Sequence, residues 1–73
     1  MDFETAVVLS ERVEREYPGL VVGGFRRMSK ERPHDSWALD IVERATGRMV
    51  TLDEKDAWQR VLEVNFPELA RAR

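Results

Sequence analysis

Seventy-three residues, 42% of them hydrophobic and 36% charged, supply one small core and a heavily charged surface, and leave no room for a second core or a cofactor domain. The formal net charge of −2 departs from the strongly basic balance of most nucleic-acid modules. No apolar run approaches the roughly 20 residues of a membrane span, and without cysteine there is no disulfide, thiol nucleophile or Cys-containing zinc site.

The start Met1-Asp2-Phe3-Glu4 lacks the basic and apolar regions of a secretion signal, so a cytoplasmic protein is expected. Residues 1–73 read as a single small domain. From Phe3 to Tyr17, the residues Phe3, Ala6, Leu9, Val13 and Tyr17 recur at helical spacing with Ser10 inside the stripe, which predicts an amphipathic helix. Asp2 is its expected N-cap and Glu11–Arg15 its expected ion pair; Pro18-Gly19 ends it, and Val8 is left outside the buried stripe.

Leu20 to Met28 is rich in Val and Phe and reads as a strand, with Gly23-Gly24 marking a bulge or bend within it. Ser29 to Asp35 is polar, contains Pro33 and has no apolar period, as in a loop. Ser36 to Glu43 alternates: Trp37, Leu39 and Ile41 fall on one face, and Ala38, Asp40 and Val42 on the other. Arg44-Ala45-Thr46-Gly47 reads as a hairpin turn with Gly47 at positive φ, leading to a short strand at Arg48 to Val50. Thr51-Leu52-Asp53-Glu54 matches a capping box, so the second helix is expected from Thr51 or Asp53, with Trp58, Val61, Leu62 and Phe66 as its buried stripe. Phe66-Pro67 interrupts that helix, and 67–73 adds either one turn through Leu69 or a frayed tail. The order helix-strand-strand-strand-helix predicts a two-layer α+β sandwich, in which a three-stranded antiparallel sheet carries both helices on one face and leaves the other open.

Charge is segregated. Five acids against two arginines give Asp2 to Glu16 a local −3, and four basic residues against Glu31 give Arg26 to His34 a local +3. Clustered near a hairpin end, Arg26, Arg27, Lys30 and Arg32 could neutralise phosphates while Phe25 or Trp37 stacked on a base. The overall acidity favours an acidic protein surface as their partner. Asp40 is expected to pair with Arg27 or Arg48 across the sheet. The lone histidine, His34, stands beside Asp35 and near Ser36, but adjacent residues of an extended chain point apart and make no catalytic triad. No metal-ligand spacing surrounds it, and the glycines of Gly19 to Gly24 lack the Lys-Ser/Thr of a phosphate-binding loop. No catalytic residue, cofactor or metal is therefore expected.

The element order and length, together with Pro33-His34-Asp35-Ser36-Trp37, resemble the double-stranded-RNA-binding domain and its Pro-His-x-x-aromatic entry into the second strand. That resemblance implies a lysine-rich opening to the second helix that grips phosphates. Here the corresponding stretch is Asp53-Glu54-Lys55-Asp56-Ala57-Trp58, whose acids would repel a phosphate backbone. The expected function is a small non-enzymatic protein-interaction module, such as a bacterial or phage inhibitor or an accessory subunit of a larger machine. A nucleic-acid-binding domain using the Arg26–Arg32 loop is the alternative. The expected contact residues are Arg26, Arg27, Lys30, Arg32 and His34 at the loop and Ala38, Asp40 and Val42 on the open sheet face, through which a homodimer could also form.

Overall fold

The Thr5 amide donates to the Asp2 carboxylate at 2.7 Å, and the helix capped in this way, α1, runs from Phe3 to Glu16. The computed structural model describes residues 1–71, and the side chain of Ala70 and residues 72–73 lie outside the description. After α1 come β1 (Leu20–Arg27), β2 (Trp37–Glu43), β3 (Met49–Leu52), α2 (Trp58–Asn65) and α3 (Pro67–Arg71). The strands form one antiparallel sheet in the order β1-β2-β3. The α+β sandwich is the architecture expected from the sequence, with the turn after Pro67 folded as the short helix α3.

The core follows from the two periodicities. Ala6, Leu9 and Val13 of α1, together with Tyr17 at its end, pack on Leu20, Leu39, Ile41 and Leu52 of the sheet, which come together because every second residue of a strand faces the same way. Trp58, Leu62 and Phe66 close the core from the α2 side, and the Tyr17 and Trp58 rings meet edge-on at 6.1 Å. Arg12 and Arg48 cover the aromatic rim, their guanidinium carbons 5.3 Å from the Trp58 ring and 4.8 Å from the Phe66 ring. α1 lies across β1 and β2, while α2 lies against β3 and α3 against α2.

Three expectations are corrected. Phe3 is 47% exposed rather than buried, because the first turn of α1 reaches only the rim of the sheet, where it meets Phe25 and Trp37. The ion pair on α1 is Arg12–Glu16, at 2.7 Å, in place of Glu11–Arg15. The third correction concerns 51–57. Thr51 and Leu52 belong to β3, α2 begins at Trp58 with no side-chain cap, and Asp53 to Ala57 form the connection between them. The capping-box pattern loses to pairing: Leu52 sits opposite Leu39 and is buried with it, and a helix begun at Thr51 would forfeit that burial.

The hairpin between β2 and β3 closes as expected on Gly47, at φ 76°. The Gly47 amide donates to the Glu43 carbonyl at 2.8 Å, and the Thr46 hydroxyl donates to the Glu43 carboxylate at 2.6 Å. An L-residue in that region costs about 1 kcal/mol or more. Gly47→Ala is therefore expected to lower stability by about that amount in chemical denaturation with an unchanged denaturant slope, and an unchanged midpoint would refute the reading. The Asp2 cap gives a second expected outcome. Hydrogen bonds from Thr5, first the side chain and then the backbone, hold the Asp2 carboxyl below its ordinary 3.8. Its stabilisation is complete above the unfolded-state value and is lost as pH falls through the lower folded-state value. Thermal melts at descending pH should show Asp2→Asn lacking this component of acid sensitivity, and identical profiles for the two proteins would contradict it.

Candidate functional site

Of the apolar residues of β1, Val21 faces the open side opposite Val42, whereas Leu20 and Val22 face the helices, and the odd step from 22 to 25 would place Phe25 on the opposite face from them in a regular strand. A bulge resolves the conflict. Val22 is opposite Ile41 and Gly24 opposite Asp40, so Gly23 is the extra residue. Leu20, Val22 and Phe25 thereby all face the helices, and Gly24 and Arg26 face the open side. A Cβ on Gly23 would stand 3.1 Å from a Val42 methyl, a tight contact that the Val42 side chain would have to yield to by a few tenths of an ångström.

The bulge also settles the partner of Asp40. Arg26 is opposite Ala38 on the open face, and its guanidinium donates to Asp40 Oδ2 at 3.1 Å. The Thr51 hydroxyl donates to Asp40 Oδ1 at 3.0 Å, so one carboxylate ties the three strands together. Arg27 and Arg48, the partners expected from the sequence, lie on the helix side of the sheet. Arg27 is opposite Trp37, and Arg48 stands over Phe66.

The expected contact set divides accordingly. Arg26 is neutralised by Asp40, and Arg32 is paired with Asp35. Arg27, Lys30 and His34 are exposed and form no ion pair among the described residues. Ala38, expected to be exposed on the open face, is fully buried at 0%, because a methyl group on the central strand does not reach past its neighbours. Val42 is half-buried there and Met49 exposed. The loop is pinned at its base, where the Met28 amide donates to the Ser36 carbonyl at 2.8 Å and the Ser36 hydroxyl donates to the Ser29 carbonyl at 3.0 Å. Arg27 precedes and Lys30 follows this fixed hairpin root in the chain.

Beside Arg27 lies a feature the sequence reading missed. The Phe3 ring packs 5.4 Å from Phe25 and 4.9 Å, edge-on, from Trp37, and this cluster remains open to solvent, with Phe25 40% and neighbouring Met28 53% exposed. The signal was present in the position of Phe3, one residue past the N-cap, where an aromatic overhangs the sheet. A cleft of about 530 Å³ shares Met28 and Trp37 with this region and is lined also by Met1, Asp53, Glu54, Lys55 and Asp56 among others. A second, of about 430 Å³, separates α1 from the connection into α2 and is lined by Val8, Leu9 and Trp58 among others. Among the described residues no cluster of histidines and carboxylates could hold a metal ion, and no helix is long and apolar enough to cross a membrane.

No known protein family, curated protein or solved structure matches the chain. The likeness to double-stranded-RNA-binding domains therefore rests on element order and the 33–37 segment alone. The structure places the acids of 53–56 in the connection before α2, outside any helix.

Because Arg26 and Asp40 are held largely by each other at the surface, Arg26→Ala should cost no more than about 1 kcal/mol. Asp40→Ala removes the Thr51 hydrogen bond as well as the Arg26 contacts and should cost more than Arg26→Ala. Equal effects in urea titrations would show that the Thr51 contact contributes nothing.

Proposed function

We propose that the chain is a non-enzymatic protein-interaction module that docks through the surface formed by Phe3, Phe25, Met28 and Trp37, with Arg27 and Lys30 as its charged rim. The observation that carries this reading is the cluster of exposed Phe3 and Phe25 on half-buried Trp37, beside an arginine without an ion pair among the described residues. Aromatic and arginine side chains dominate protein interfaces, because they bury much area at low entropic cost and pair with charge. The partner surface is apolar at its centre and acidic where it meets Arg27 and Lys30. An inhibitor or an accessory subunit of a larger machine would act by this kind of stable, non-catalytic contact.

The nucleic-acid reading is weaker on this geometry. Two of its four cations, Arg26 and Arg32, already carry carboxylate partners, and the acids of 53–56 border the same cleft. The open sheet face gives less support as a dimer contact, since its middle is the Arg26–Asp40–Thr51 network and Ala38 is buried.

The test is retention of a partner from a lysate of the source cells on the immobilised chain. Wild type is expected to hold a defined protein that Phe3→Ala combined with Arg27→Glu loses, with binding weakened at least about thirtyfold once the pair is purified. Retention indifferent to both substitutions, or a salt-sensitive complex with RNA or DNA in its place, would overturn the proposal.

A further inference from the structure

The outer edge of β1 is sealed over half its length and open over the other half. In an antiparallel pair, residues alternate between those whose N–H and C=O face the partner strand and those whose groups face away. The Trp37 amide donates to the Met1 carbonyl, on the side of β2 away from β1, at 2.8 Å, and the Met28 amide donates inward to Ser36. Arg27, opposite Trp37, therefore turns its backbone groups outward, and so does Phe25. Beyond the bulge the outward positions are Val22 and Leu20. The chain closes both of these itself: the Leu20 amide donates to the Tyr17 carbonyl at 2.9 Å, and the Val22 amide donates to the Glu14 carboxylate at 2.9 Å. The amides of Phe25 and Arg27 have no such partner among the described residues.

We propose that this open half-edge, Gly24 to Arg27, takes an acidic extended segment of a partner protein as a fourth strand. The inference rests on the docking surface proposed above and adds the mode of binding. Backbone pairing to Phe25 and Arg27 provides register. On the helix side an apolar side chain of the added strand meets Phe3 and Phe25, and a carboxylate meets Arg27. Glu14 sets the boundary: its carboxylate occupies the next outward amide and would repel an acidic strand extended past the bulge. The opposite edge, β3, is four residues long, and the aromatic residues of the helix against it, Trp58 and Phe66, are buried, as expected of an edge that resists pairing.

The experiment is an NMR titration of the 15N-labelled chain with an acetylated octapeptide alternating Glu and Val, alongside a Lys-Val counterpart. The Glu-Val peptide is expected to shift the Phe25 and Arg27 amides and slow their hydrogen exchange at least about tenfold, leaving Leu20, Val22 and Thr51 unchanged. The Lys-Val peptide should do neither. Arg27→Pro deletes an outward donor while sparing every bond of the β1–β2 ladder, a position where edge strands tolerate proline. It should abolish the effect, and Arg27→Glu, which keeps the backbone donor, should weaken it. No binding up to about 1 mM, equal binding of the two peptides, full binding by folded Arg27→Pro, or self-association of the chain through the same amides would each overturn strand addition. The two proposals separate on the lysate partner. If it is lost with Phe3→Ala plus Arg27→Glu but kept by Arg27→Pro, the docking surface stands and the added strand falls.

Discussion

One extra residue in one strand governs most of what this domain presents to its surroundings. The Gly23 bulge keeps Leu20, Val22 and Phe25 on the helix side despite their uneven spacing, and in doing so sends Arg26 to Asp40 and Arg27 to the flank of Trp37. A regular β1 would exchange these roles, placing Phe25 on the open face and aiming Arg26 at the core. Burial of Leu20 and Val22 against α1 and β2 fixes the first half of the strand, so the phase change has to occur within the glycine pair. The close approach of the Val42 methyl to Gly23 shows that a side chain there would crowd its cross-strand neighbour.

From the bulge follows a division of labour between the two sides of the sheet. On the open side, Asp40 draws together Arg26 and Thr51 and satisfies charge within the domain. On the helix side, the rings of exposed Phe3 and Phe25 and half-buried Trp37 meet edge-on or tilted, next to Arg27, which has no ion pair among the described residues. A domain of this size has little apolar surface to spare, so two exposed rings, Phe3 and Phe25, against half-buried Trp37 represent burial that a partner would complete. The edge of β1 repeats the pattern at the level of the backbone, closed by Glu14 and Tyr17 where it lies under α1 and unclosed where the rings and cations are.

Much of the fold was legible because its signals are local. The α1 stripe, the Asp2 cap, the Gly47 turn and the alternation of Trp37 to Glu43 each depend on residues a few positions apart. The boundary between β3 and α2 was not legible, since Thr51 to Glu54 carries the pattern of a helix start and only the distant Leu39 reveals that Leu52 is a strand residue. The candidate site was legible in its cations but not in its grouping. Whether Arg26 or Arg27 reaches Asp40 depends on the phase of β1, and the glycine pair marks a bulge without saying which residue is extra. The outward amides of Phe25 and Arg27 have no sequence signature, because they are a property of the register.

The register of β1 on β2 can be read directly from through-space contacts between α-protons, which are strongest across the non-hydrogen-bonded pairs. With the bulge at Gly23, the Phe25 α-proton lies against that of Leu39 and the Arg27 α-proton against that of Trp37. A spectrum pairing the α-protons of Gly24 with Leu39 and of Arg26 with Trp37, the register of a strand without a bulge, would contradict the account at its root.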